Sequence, residues 1–472
     1  MLTHTANGDS RLSFWPRVRE FAVPPSMIDA ATARRRAGDW AGACAAAGID
    51  VDLNLRSVAR THGHDLATRV RADLRHLAPD LLRWHMPRIA PDGLLRPGLT
   101  LTLARYGSAG RDGSPPVHLV VRTPPAQADG GQRISLALWD GSGPDTGVPW
   151  HPHPRPSRRF RLDLHRHLWD ARRTDELRVR SGADLPPTDD PPRRPDPPGT
   201  MPPGRRGAVD RWAAEAGLLL RAEGSPTAGT HTVTVRLGAG RRLALVLATE
   251  RIGAGPHLLR IDEARTGGAA SALPLLPDAA TWVPPDLELV RAGAIEADRL
   301  HPLVAAALAP DRMPTAASSR APDADAAGQP RLVDCRGARH RIGLVDGVLA
   351  ALDHDPAEIR REEMLAALTG TPLPCLQVID EAHRRPECLP DIRERLNHGD
   401  TTGALAVVEA LLGPAARLRD GALRDELEAA ALRRIAYGMF RAGLDGPGPG
   451  HVGPDRHRSR VGRFHPRHAT RA

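Results

Sequence analysis

The chain contains no lysine: every one of its 65 basic residues is arginine. That absence removes Schiff-base catalysis, the phosphate-gripping lysine of Walker loops and the β3 lysine of protein kinases, because each of these mechanisms needs an ammonium group. Cysteine is scarce, with residues 44, 335, 375 and 388 alone in a chain of 472. Such sparse cysteines cannot form a secreted disulfide framework, so reduced thiols and a cytoplasmic setting are expected. Nowhere does an apolar run approach the roughly 18 residues of a membrane span, and the opening MLTHTANGDSRLSFWPRVRE has no apolar signal core, so no membrane partner is expected. HExxH, GxSxG and a glycine-rich nucleotide loop are also missing, which leaves an enzymatic reading without a positive motif. Asparagine occurs three times and aromatic residues make up 3%. Together with the excess of Ala, Arg, Gly and Pro, these gaps read as codon bias more than as selection for function.

What is present is organised in blocks. A length of 472 residues suits about three domains. Two linkers separate them: the stretch 181–207 carries nine prolines and reads as a semi-rigid spacer, and 313–330 is small, polar and aperiodic. The first block, 1–180, begins with helices. Ser26 with Asp29 three residues on suggests a helix start, and Asp39 caps the next helix. Alternation at Leu99–Leu103, Val117–Val121 and Ile134–Leu138 predicts an antiparallel meander, with Phe160, Leu162 and Leu164 as a fourth strand. Residues 208–312 repeat the order, with a helix from Val209 and then a hairpin joining Val233–Leu237 to Leu243–Leu247 through Gly238-Ala239-Gly240. The third block, 331–444, opens with a hairpin turning at Asp346-Gly347 and continues as helical hairpins, and a basic disordered tail is expected over 445–472. The fold class is therefore a multidomain α+β protein, with two helix-plus-meander blocks followed by a mainly α-helical hairpin domain. Trp40, Trp84, Trp139, Trp169, Trp212 and Trp282 are expected to mark separate cores or sub-cores.

One phrase occurs twice. Gly38-Asp39-Trp40-Ala41-Gly42-Ala43-Cys44-Ala45 and Gly399-Asp400-Thr401-Thr402-Gly403-Ala404-Leu405-Ala406 share GDxxGAxA. The second copy is similar to the turn and second helix of a tetratricopeptide repeat, a resemblance covering about half a repeat that implies helical-hairpin geometry.

Other strings resemble catalytic motifs. Asp380-Glu381-Ala382-His383 resembles the DEAH motif of superfamily-two helicases, which implies magnesium and nucleotide. Without lysine no phosphate loop accompanies it, and Cys375, Ile379 and Ala382 fit one face of a helix. Thr61-His62-Gly63-His64-Asp65 resembles the start of the metallo-β-lactamase signature, but Leu66 stands where the aspartate belongs, so a helix cap accounts for it better. Cys335, Cys375, His383 and Cys388 are chemically sound zinc ligands within one block, although their gaps are wider than the close pairs of structural sites. Zinc is accordingly the one cofactor left open. His151/His153 and His165/His167 form HxH pairs of weaker standing.

Charge is local. Nine arginines oppose four acids between His151 and Arg180, and six oppose one between His451 and Ala472, leaving the rest near neutral. On the expected fourth strand Arg159 and Arg161 would project from one side, and Arg456, Arg458 and Arg460 lie in the tail; these five are the candidate contacts to nucleic acid or another anion. The leading expectation is a non-enzymatic protein-interaction or scaffold protein with a protein partner. The alternatives are a nucleic-acid-binding protein using the 151–180 segment and the tail, and an enzyme with a fold-assembled, zinc-dependent site.

Overall fold

The computed structural model describes residues 12–107, 115–128, 132–141, 151, 153–185, 201–202, 205–226, 228–238, 240–249, 256–264, 272–310, 331–370 and 372–444. The 445–472 tail, the 313–330 tether and most of the proline-rich linker lie outside them. The fold class is α+β and multidomain, as the blocks indicate.

The chain begins with α1 (Trp15–Phe21), α2 (Pro25–Arg36) and α3 (Trp40–Ala46), then β1 (Ile49–Val51), α4 (Leu55–His62), α5 (His64–His76) and α6 (Pro79–His85). Helix α2 starts at Pro25 without a side-chain cap, one residue before the expected Ser26, because proline's fixed φ and missing N–H suit a first helical position. A short hairpin, β2 (Arg88–Ile89) with β3 (Leu94–Leu95), leads to β4 (Thr100–Tyr106), β5 (Val117–Arg122) and β6 (Ile134–Trp139). The meander is present, but its fourth strand is β1, which pairs in parallel with β6 to give the order β1-β6-β5-β4. Phe160, Leu162 and Leu164 do not form a strand. That segment is turns and a 3-10 stretch that touches the sheet through a single bridge, Thr102 to Arg161, and Phe160 and Leu162 are buried as anchors. Alternation signals a strand only where a neighbour can accept a ladder of hydrogen bonds, and here β4 accepts one bridge.

Leu101, Leu103, Leu119, Val121, Ile134 and Leu136 enter one core with Val70, Leu74, Leu81 and Trp84 from the helices. Trp169 joins the same core, so Trp84 and Trp169 share one core instead of marking two.

After α7 (Glu176–Ser181), the second block contains α8 (Val209–Ala222) against a meander of β7 (Gly229–Gly238), β8 (Arg241–Thr249) and β9 (His257–Glu263), over a core of Trp212, Val233, Val235, Leu243 and Leu245. The turn residue Ala239 lies outside the described residues. Then come α9 (Asp278–Thr281), α10 (Pro285–Arg291) and α11 (Pro302–Leu308). The expected 208–312 unit divides between two cores here, because Leu287, Leu289, Leu300, Val304 and Leu308 pack into the first core. The third block holds β10 (Arg331–Cys335), β11 (Ala338–Val345) and β12 (Val348–Ala351), then α12 (Pro356–Thr369), α13 (Pro374–Arg384), α14 (Leu389–His398), α15 (Thr401–Leu412) and α16 (Ala422–Arg441). Asp346 and Gly347 take φ of 49° and 75°, the double left-handed turn that joins β11 to β12.

The repeated phrase is a repeated device. Asp39 caps α3 and Asp400 caps α15, each accepting from the amide three residues on, Gly42 at 2.8 Å and Gly403 at 2.9 Å. A Cβ on either glycine would collide with the capping carboxylate, which explains the second glycine of each copy. An arginine five residues before each aspartate grips the same carboxylate, Arg34 at 3.1 Å and Arg395 at 3.0 Å. Both are helix-turn-helix corners, in agreement with the geometry that the tetratricopeptide resemblance implies.

Buried arginines join the blocks. The Arg83 guanidinium donates to the carbonyls of Ala22, Gln132 and His398, the last at 2.9 Å, which ties the first block to the end of α14. Arg19 and Asp286 pair at 2.7 Å with both side chains buried, while Trp84 Nε1 donates to Asp286 at 3.0 Å. Burial depresses the Arg19 pKa and the Asp286 carboxylate opposes that shift. Removing one partner of such a pair leaves a bare charge in the core, so Asp286→Ala is expected to lower stability by about 3–5 kcal/mol in denaturant unfolding. A loss below about 1 kcal/mol, the range of exposed pairs, would refute that assignment.

Candidate metal centre

Cys335 ends β10, where Arg336 and Gly337 at positive φ turn the chain tightly back into β11. Cys375 sits in the first turn of α13, directly after Pro374 at the first helical position. His354 lies between β12 and the Asp355 cap of α12. Three segments thus converge at one end of the small sheet, and the ligand atoms of Cys335, His354 and Cys375 lie within 4.8 Å of one another. Among the described residues this is the one group of three or more His, Cys, Asp or Glu residues that comes so close.

The two thiols are buried among apolar side chains. Cys335 and Cys375 are 1% and 0% exposed, packed with Ile342 and Ile379. Burial, with the adjacent Cys335 thiol adding to it, pushes the Cys375 thiol up to about 11. His354 Nε2 is buried without a hydrogen-bond partner, and the His354 ring stacks on His340 at 4.2 Å between centroids. His340 Nδ1 is likewise buried and unpartnered. Buried polar atoms usually find partners, so two orphaned imidazole nitrogens beside two thiols make this a candidate ligand site. Two thiolates would neutralise a divalent cation in this apolar pocket, and neutral imidazole adds a ligand without charge.

Of the four candidate ligands, Cys335 and Cys375 are brought together, and His383 and Cys388 lie outside the trio. His383 is buried two turns further along α13, its pKa lowered first by burial and then by Arg419. Cys388 precedes α14 and packs against the core of the helical hairpins. The candidate ligand that sequence reasoning missed is His354. Its signal was the pair of tight turns: Cys335 pairs with Ala338 and Ile342 with Ala351, so the residues just after β12 return beside His340 and the end of β10.

The basic candidates are placed differently. Arg159 pairs with Asp278 at 2.5 Å, and Arg161 is held by Asp163 at 2.8 Å and Glu223 at 2.6 Å, with 18% and 10% of their side chains exposed. Their donors face carboxylates of the same chain instead of an open surface. Arg456, Arg458 and Arg460 lie outside the described residues. Asp380 and Glu381 stand on helix α13, and Asp380 is paired with Arg384 and Arg419. Gly63 at φ 88° joins α4 to α5, which makes the His62–His64 string a helix junction. His151 is buried with Nε2 3.0 Å from the Thr123 carbonyl, and the His165 and His167 rings lie 5.7 Å apart.

No protein-family model matches the chain, and no curated protein or solved structure matches it either.

Thiol chemistry offers a direct check. Burial holds Cys44 at about 12 and Cys375 at about 11. At pH 8 roughly one Cys375 in a thousand would be thiolate in metal-free protein. Iodoacetamide labelling of the chelator-treated, folded chain should therefore reach Cys375 only as pH rises toward 11, read by peptide mass spectrometry. Rapid labelling at pH 7 would contradict the buried, protonated thiol.

Proposed function

We propose that the chain is a non-enzymatic, cytoplasmic protein-interaction protein whose third block carries the docking face, stiffened by a structural zinc ion. The observation that carries the reading is the distribution of exposed apolar side chains. Of the fifteen large apolar residues left exposed among the described residues, twelve lie from Leu332 to Leu444. Helix α12 buries none of its residues, and its Met364, Leu365 and Leu368 are 63%, 50% and 86% exposed. On α16, Leu432, Ile435 and Met439 recur at helical spacing and are also exposed. Soluble surfaces rarely leave such stripes uncovered, and the spacing suits the apolar face of an amphipathic helix from a partner protein. All four cysteines are free thiols, which supports a reducing setting. Among the described residues no helix is long and apolar enough to cross a membrane.

Zinc is the metal that the donor set favours, because two thiolates and imidazole suit its tetrahedral preference. Cys335, Cys375 and His354 would supply three ligands, with His340 stacked on the His354 ring. Because the three ligands come from separate segments, one ion would tie β10, the start of α12 and α13 together, which supports a structural role.

Two measurements test the reading. Metal analysis of the purified chain should find about one zinc per molecule, lost in Cys375→Ala and in His354→Ala with a lowered midpoint of unfolding. Metal-free wild type of unchanged stability on zinc addition would remove the zinc. For docking, the full chain should retain a stoichiometric protein from native extract after nuclease treatment, and Leu365→Glu with Leu368→Glu should abolish that capture while leaving the fold intact. Capture that ignores those substitutions would overturn the docking face. Recovery of nucleic acid that disappears with salt would instead favour the alternative reading through Arg456, Arg458 and Arg460.

A further inference from the structure

Arg122, the last residue of β5, is 3% exposed. Strand alternation puts it on the opposite face of the sheet from Val121, away from the first core. Its Nε is buried without a hydrogen-bond partner, and among the described residues the guanidinium makes no hydrogen bond or ion pair. Burial depresses its pKa, and Asp52 is the charge that opposes the shift.

Asp52 is already engaged, since Arg441 from α16 pairs with its carboxylate. Asp50 accepts from Arg133 and, at 2.5 Å, from the Tyr437 hydroxyl. On this face of the sheet the guanidiniums of Arg122, Arg133 and Arg441 thus meet the two carboxylates Asp50 and Asp52, and among the described residues one positive charge is left uncompensated. His151, on the other side of Arg122, adds no charge at neutral pH, because burial lowers it to about 4. An unpaired buried charge of this kind is costly and is expected where a counter-ion binds.

A cavity of about 220 Å³ opens beside Arg122, between α4 and β6. Ser57 and Thr61, one turn apart on α4, supply hydroxyls to its wall, Leu53, Val58 and Ala137 supply apolar surface, and Asp52, held by Arg441, also lines it. We propose that this cavity binds a small organic monocarboxylate, with the carboxylate on Arg122 and the Ser57 and Thr61 hydroxyls and a short apolar body along Leu53, Val58 and Ala137. One excess positive charge matches one carboxylate. A phosphate dianion would overshoot it beside Asp52 and would leave the apolar wall uncovered. Size agrees, because a cavity of about 150 Å³ holds benzene, so a ring bearing a carboxylate fits this one. A guanidinium fork also matches a carboxylate in bidentate geometry.

The test uses the full chain, with benzoate, hexanoate and inorganic phosphate titrated at pH 7 by calorimetry and thermal unfolding. Benzoate or hexanoate should bind saturably, one per chain, and raise the melting temperature, with phosphate giving no such rise. Arg122→Met should melt higher than wild type without ligand, since it removes the uncompensated charge, and should lose about tenfold or more in carboxylate affinity. Ala137→Leu, which fills the cavity and leaves Arg122 in place, should abolish binding with the chain still folded, so the test stands even if Arg122→Met does not fold. Absence of saturable carboxylate binding, a preference for phosphate, or binding undiminished in either folded variant would overturn the proposal.

Discussion

The arrangement of the three blocks depends on buried guanidinium groups, and Arg83 is the pivot. A charged side chain that is 1% exposed must find its hydrogen bonds inside the protein, and Arg83 takes them from the carbonyls of Ala22, Gln132 and His398. Those carbonyls belong to segments far apart in sequence. Ala22 and His398 close α1 and α14 and Gln132 lies in the bend before β6, so the requirement to satisfy one planar fork fixes three segments at once. A lysine could not do this, since its ammonium lacks a fixed fork.

Around that pivot, the same chemistry is resolved in different ways. Arg19 meets a buried carboxylate, and the Arg161 pairs with Asp163 and Glu223 link the 160–168 turns to the end of α8. Arg441 and Tyr437 carry α16 onto the edge strand β1 through Asp52 and Asp50. The third block is therefore seated on the first by directed polar contacts, with Phe21 stacked over His398 as an apolar complement. Arg122 differs from all of these in finding neither carbonyl nor carboxylate among the described residues, which is why it is the place proposed for an external anion.

How much of this was legible in the sequence follows from how local each signal is. The Asp346-Gly347 hairpin, the three strands of the first meander and both GDxxGAxA corners were readable, because turn conformation, alternation and capping are decided within a few residues. The segment around Phe160 misled, since its alternation reflects anchoring into a core and not a ladder. The passage of Leu287–Leu308 into the first core was invisible, because a proline-rich spacer signals a break in local structure and says nothing about where the chain returns. His354 was hidden for a similar reason. Its neighbours in sequence are not ligands, and only the register of two consecutive hairpins brings it back to Cys335. Arg122 reads as one arginine among 65, and that it meets no partner among the described residues is visible only in three dimensions.

The cysteine–histidine trio and the exposed stripe of α12 are mechanically connected. Helix α12 buries no side chain, its Asp355 cap is exposed, and the ion pairs that tie it to the sheet are Arg336 with Glu358 and Glu362, with His354 Nδ1 3.9 Å from Glu358. Arg336 is half exposed, and pairs of that kind contribute at most about 1 kcal/mol each. A helix secured so weakly takes its direction from the anchor immediately before it, and that anchor is His354. Fixing His354 to Cys335 and Cys375 through one ion would orient the first turn of α12 relative to β10 and α13, presenting Met364, Leu365 and Leu368 in a defined direction. Without that constraint the helix would keep its ion pairs but lose its angle, and a partner would have to order it upon binding, at an entropic cost that weakens association.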